Sequence, residues 1–141
     1  MPRKGVGMPI QWDQQYEVGE PRVDSQHRNL FDYVNQLEQI VVQGKQGHLD
    51  RRELENLFVF LDAYVNTHFA YEELCMTLRG CKVAQKNKEA HNRFMDLWAE
   101  LNRTYTPQNI PLAALEELHA MLASWLTQHI CKIDTALKKT A

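Results

Sequence analysis

Residues 54–75 read LENLFVFLDAYVNTHFAYEELC. Leu54, Leu57, Leu61, Tyr64, His68, Glu72 and Cys75 recur there in steps of three and four, the stripe of an amphipathic helix. The stripe begins apolar and then carries an imidazole and a carboxylate. Such groups are costly to bury unless they are paired or hold a metal, so one helix announces both a core and a site. Asp50 followed by Glu53 predicts its start, a capping box with Asp in place of Ser or Thr, and Gly80 predicts its end.

Three further segments have the same period. The first runs His27, Leu30, Val34, Leu37, Val41, with Asp24 as expected N-cap and Gly44 and Gly47 as its end. The third runs Asn87, His91, Phe94, Trp98, Leu101, Tyr105 and is closed by Pro107. The fourth runs Leu115, Leu118, Leu122, Trp125, His129, widened by Leu126, Ile130 and Ile133, with Pro111 in its first turn and Asn109 or Ile110 as cap. No segment alternates as a strand would, and there is no repeat or low-complexity tract. Four helices with short connections predict an all-α, antiparallel up-down-up-down four-helix bundle over residues 10–141. Residues 1–9 are expected to be a loose arm or remnant. Met8 to Val23 lacks a helical period, yet Trp12, Tyr16 and Val18 call for burial, so an ordered arm across the bundle is expected.

At 141 residues, with 44% hydrophobic residues, the chain is long enough for one domain with a real core. A net charge of -2 gives no basis for nucleic-acid binding. No apolar run approaches the roughly 18 to 20 residues that cross a membrane, and the start lacks the apolar stretch of a secretory signal. Cys75, Cys81 and Cys131 form no CxxC pair, which argues against a disulfide framework and a zinc-thiolate site. A reducing, cytoplasmic setting is expected.

His27, His68, Glu72, His91, His129 and Asp134 fall on or beside the four seams and are expected to converge at the centre of the bundle as a two-metal site. His68 and Glu72 are four apart, about 40° on a helix, and can reach one ion. Asn87 and His91 share that spacing. His129 and Asp134 are five apart, about 140° on an ideal helix, so both reach one site only if it lies between helices or the helix bulges. Imidazole with carboxylate suits iron, and also manganese or zinc. Ferritin-like bundles use Glu-x-x-His on paired helices, whereas this seam carries His-x-x-x-Glu with more imidazole than carboxylate.

Other residues have plainer readings. His48 is expected in a solvated loop, His119 on a flank, and Glu73 facing solvent because it follows Glu72, with support of a metal ligand from behind as its alternative. Cys75 and Cys81 read as small core or surface residues, and Lys138 and Lys139 as favourable charges at a helix C-terminus. Trp125, Leu126, Phe69 and Ile130 read as core residues that also line and dry a ligand pocket.

Trp12, then Asp24-Ser25-Gln26-His27, His68-Phe69-Ala70-Tyr71-Glu72-Glu73 with Met76, His91 with Phe94, and Trp125-Leu126-Thr127-Gln128-His129-Ile130 with Asp134 together resemble a bacterial hemerythrin-like domain. The resemblance runs from Ile10 onward. It implies that His27 and His68 bind one iron, His91 and His129 the other, with Glu72 and Asp134 as bridges and an oxo or hydroxo group between the metals. It also implies O2 as ligand, with azide or nitric oxide as further small ligands. The chain departs from the family where Asn87 stands in place of a His and Cys81-Lys82 replace a Tyr-Pro pair.

An amide is a poor ligand for ferrous iron. Asn87 is therefore expected to hydrogen-bond a water on the metal, to stand back from it, or to bond backbone at the helix N-terminus. Exchangeable positions on both irons then favour an oxygen or redox sensor cycling between diferrous and diferric states over a reversible carrier. A weak oxidase or peroxidase is the enzymatic alternative, and a structural module whose site has decayed is the plainest one. Members of this family are often joined to signalling domains, so the chain reads equally as a domain with a fused or partner output domain and as a stand-alone protein.

Overall fold

Pro21 opens the first helix, because its fixed φ suits a first turn whose N–H has no partner anyway. The computed structural model of the chain describes residues 9–139. They form α1 (Pro21–Lys45), α2 (Arg51–Leu78), α3 (Ala84–Thr104) and α4 (Leu112–His129). A π-helical stretch, Ile130–Asp134, follows α4 and leads into α5 (Ala136–Lys139); a single 3-10 turn, Gln14–Tyr16, precedes α1. No strand occurs among the described residues. Helix α1 packs against both α2 and α4, and α2 against α3, as a four-helix bundle requires.

The helix ends differ in detail from their sequence signals. Asp50 caps α2 as expected, its carboxylate accepting from the N–H groups of Arg52 and Glu53. Gly47 and Gly80 have φ of +86° and +64°, the left-handed geometry in which glycine ends a helix. Asp24, however, does not cap α1. Glu20 does, accepting from Val23 N, while Asp24 lies in the first turn and accepts from Val18 N at 2.8 Å and Gly19 N at 3.2 Å. An acidic residue followed by a periodic stripe looks like a cap; here it ties the incoming arm to the helix instead. Pro111 is itself the N-cap of α4, and Asn109 accepts from Thr106 N to close the preceding turn.

The arm lies across the bundle. The rings of Trp12 and Tyr16 meet Phe31 at 5.5 and 5.0 Å, Val18 is fully buried, and Ile10 exchanges two hydrogen bonds with the Asn35 side chain. The expectations for residues 1–8 and for the Lys138 and Lys139 side chains lie outside what the structure describes.

Leu37, Leu54, Leu57 and Leu115 are at most 1% exposed and build the body of the core. The polar seam residues sit apart from them. His27 lies in the second turn of α1, Glu72 near the end of α2, His91 two turns into α3, and His129 closes α4. In an antiparallel bundle these four places are at the same end, so the cluster sits towards one end rather than at the centre. Apolar layers fill most of the remainder, interrupted by the buried Glu38.

Candidate metal centre

Glu72 and Asp134 are the axis of the cluster. Glu72 Oε2 lies 3.1 Å from His27 Nε2 and 3.5 Å from His68 Nε2, while its Oε1 lies 3.1 Å from His91 Nε2. Asp134 Oδ2 lies 3.2 Å from His27 Nε2 and its Oδ1 3.1 Å from His129 Nε2. Each carboxylate thus offers one oxygen to the His27 side and the other to the His129 side, and all four imidazoles turn Nε2 inward. All six residues are buried. Their donor atoms fall into two groups, His27–His68–Glu72 and Glu72–His91–His129–Asp134, each within 4.8 Å of one another.

Asp134 reaches the cluster because the helix does bulge. Thr135 N donates to Ile130 O at 3.0 Å, a five-residue bond, and such π turns recur at functional sites. The wider turn brings residue 134 back to the face of residue 129. A straight helix would turn it away.

Two imidazoles are oriented from outside. His68 Nδ1 lies 2.7 Å from Gln26 Oε1, and His91 Nδ1 lies 3.1 Å from Glu73 Oε2. Both oxygens accept only, so Nδ1 carries the proton and Nε2 turns to the centre. Glu73 therefore does not simply face solvent. Being next to Glu72 it points away from α2's own seam, and that direction meets α3. Gln26, quoted above only as part of a motif, owes its role to the same geometry: a residue beside His27 cannot share its face, and only a neighbouring helix gives it a partner.

Asn87 is fully buried, with its terminal amide 2.9 Å from His129 Nε2. It lies among the donor atoms, neither withdrawn to backbone nor standing back. Phe69 stacks on His91 with centroids 3.8 Å apart and 6° between planes, and Trp125 stacks on His129 at 4.5 Å and 8°. Behind these rings is an apolar cavity of about 30 Å³ bordered by Phe69, Trp125 and Leu126, but not by Ile130, which is core. Of the remaining histidines, His48 is exposed and His119 stands beside Glu38 on the flank.

Without a cation, only protons on the imidazoles offset the two buried carboxylates. Burial opposes protonation of His27, but hydrogen bonds to Asp134 and Glu72 outweigh it and lift its pKa to about 9. Burial pushes His68 down to about 3, against the pull of Glu72. Burial also works against ionising Glu72 and Asp134, yet the surrounding imidazoles hold both below the usual carboxylate range. Two buried anions in a cage of inward nitrogens are a donor set for divalent cations. His27 Nδ1 and Asp134 Oδ2 have no well-aligned hydrogen-bond partner, which a structure built for packing alone would avoid. The residues present fit a two-cation centre.

Comparison with known proteins agrees. A bacteriohemerythrin of Stenotrophomonas maltophilia is 28% identical over 89% of this chain and 76% of its own length. One from Methylococcus capsulatus is 26% identical over 79% of each chain. A myohemerythrin of Theromyzon tessulatum is 24% identical over 92% of each. The pattern of the hemerythrin HHE cation binding domain matches residues 19–141, and with the bundle and its buried donor cage in place, the chain belongs to that family.

Proposed function

We propose that this domain binds two iron ions and O2, and that it reports oxygen or redox state by cycling between diferrous and diferric forms. His27 and His68 hold one ion, His91 and His129 the other, and Glu72 and Asp134 span both. The observation that carries the reading is the division of each carboxylate between the two histidine pairs. A pair of irons, when bound, would supply one-electron redox chemistry and affinity for dioxygen. The protein supplies the rest. Gln26 and Glu73 fix the imidazoles, Phe69 and Trp125 shield His91 and His129 from water, and the buried carboxylates offset cationic charge.

Sensing is favoured by where the ligands are attached. Asp134 sits in a π turn directly before α5, whose Leu137 is fully buried. A π turn has an α-helical alternative, and helix shifts are an established means of signalling. A change in charge at the centre alters the pull on Asp134 and so on the segment after it, where a fused or partner output domain would read it. The apolar cavity behind Phe69 and Trp125 favours the second reading, reversible carriage of O2, because a dry pocket lets the ligand leave unchanged.

Anaerobic iron loading followed by a single mixing with dioxygen tests both. Two irons per chain and prompt oxidation without a long-lived oxygenated band support the sensor. A stable band reversed by lowering oxygen pressure supports carriage, and sustained turnover of a reductant supports an oxidase or peroxidase. Fewer than about one metal per chain, with no rise in melting temperature, rejects the metal reading, since a ligand of the folded state must stabilise it.

A further inference from the structure

We infer that the Asn87 amide occupies one of the two cation positions in the manner of a turnstile, so that the centre fills in order: the His27–His68 half first, the His91–His129 half second. This rests on the reading that the centre holds cations.

The geometry is specific. With its nitrogen turned inward, the amide lies 2.9 Å from His129 Nε2, 3.1 Å from Glu72 Oε1, 3.2 Å from Asp134 Oδ1 and 3.2 Å from His91 Nε2. One atom of Asn87 is therefore within hydrogen-bond reach of every member of the Glu72–His91–His129–Asp134 group. Among the described residues, no amide stands in this way within the His27–His68–Glu72 group. Asn87 can reach so far because it lies in the first turn of α3, where Val83, Asn87 and His91 follow one line of the helix, and because it is fully buried.

An amide has two ends of opposite character. Its NH2 donates to carboxylate oxygens, and those to Glu72 and Asp134 are charge-assisted and therefore strong. Its carbonyl oxygen is a ligand for a cation. The two ends exchange places by a half-turn about the Cβ–Cγ bond, which needs no movement of helix α3. A cation entering this half meets an N–H first, so the amide must turn and give up its bonds to two buried carboxylates before Oδ1 can face the ion. The other half demands no such exchange. The two sites thus differ in affinity although each has two imidazoles and a share of the same two carboxylates. An imidazole in place of Asn87 could present its lone pair to the ion by moving a proton between its ring nitrogens, without a half-turn of the side chain.

Titration of 15N-labelled protein with Zn2+, a diamagnetic probe, tests this with calorimetry alongside. The Asn87 side-chain NH2 pair is assigned by triple-resonance correlation and by its loss in Asn87→Asp. The pair should exchange slowly with solvent before zinc is added, move only slightly with the first equivalent, through the shared Glu72 and Asp134, and shift most during the second. Calorimetry should resolve two steps at least about tenfold apart, drawn together in Asn87→Asp, where either end of the side chain is an oxygen. A larger movement of the NH2 pair with the first equivalent than with the second, or two equivalents bound with equal affinity, would overturn the order of filling and leave the two-cation centre standing. Absence of zinc binding would overturn both.

Discussion

Glu73 accepts a hydrogen bond from His91 Nδ1 at 3.1 Å, reaching from α2 to α3 past its neighbour Glu72. The two adjacent carboxylates thus act on the same imidazole from opposite sides, one on each ring nitrogen. Gln26 treats His68 in the same way from α1. Partners of this kind hold the ring angle and its tautomer, and their loss typically weakens metal binding about 10- to 100-fold. Gln26→Ala and Glu73→Ala are each expected to fall in that range when titrated with Zn2+ or anaerobic Fe2+. Because the Glu73 side chain is 27% exposed, Glu73→Ala should move the melting temperature of the chelated protein little. An unchanged affinity in Glu73→Ala would show that contact to be incidental.

The bundle was legible because period and punctuation agreed: four stripes in steps of three and four, separated by Gly or Pro. The six buried donors were legible because imidazole and carboxylate do not otherwise belong on such stripes. What the stripes could not give was anything off the seam. Gln26 and Glu73 lie beside ligands, so their roles exist only once α1 meets α2 and α2 meets α3. The capping role expected of Asp24 failed because a carboxylate in a first turn can bond back to the arm as readily as forward to the helix. The spacing of His129 and Asp134 was a stated conflict with helix geometry, and the π turn is its resolution. Conflicts of that sort tend to mark functional places.

The chelated protein should be most stable near pH 6.5. His27 is raised to about 9 in the fold, above the ordinary 6.5, so its contribution is complete below 6.5 and is lost as pH rises through 9. His68 is lowered to about 3, so the unfolded chain takes up a proton the folded chain refuses, and stability falls as pH drops from 6.5 towards 3. The lowered carboxylates Glu72 and Asp134 act in the same direction on the acid side. Cation affinity follows a different course. It should climb from neutral pH to about 9, because the cation must displace the His27 proton. Urea melts at pH 5, 6.5 and 9 with chelator check the first claim, and zinc titration over the same range the second; stability that is flat between 6.5 and 9 contradicts the His27 assignment.

Phe69 lies flat on His91 and is 5% exposed, so it serves as packing and as cover. Phe69→Ala should cost about 3 to 5 kcal/mol in denaturant melts of the chelated protein. Phe69→Leu keeps apolar volume but loses the ring contact and should cost less. Both should hasten metal loss to an external chelator, the alanine variant more, since water then reaches His91. Equal off-rates in all three proteins would mean that the ring does not guard the centre.

Glu38 is a cost the fold carries away from this site. Both its oxygens are buried without hydrogen bonds, and the nearest cationic candidate, His119 Nε2, is 3.6 Å away. Burial holds the His119 pKa below its ordinary value even beside that carboxylate. An unpaired buried acid is expensive, so Glu38→Met should raise stability by about 1 to 2 kcal/mol without altering zinc affinity. A loss of stability would show that Glu38 has a partner in solution.

The π turn admits a sharp test by deletion. Removing exposed Lys132 shortens the His129–Asp134 spacing from five residues to four. If the wider turn is what returns Asp134 to the centre, the deletion yields an ordinary α-helix with the two ligands about 40° apart, the spacing already used by His68 and Glu72. Ile133 and Leu137 keep their inward directions for the same reason. Zinc affinity should then change by less than about tenfold, and Thr135 N should still bond Ile130 O, now four residues back instead of five. If α4 instead ran straight through the intact protein, Asp134 would start about 140° from His129 and the deletion would rotate it about 100° towards that face, so zinc affinity would rise by far more than about tenfold. Zinc affinity of the intact and deletion proteins separates these outcomes.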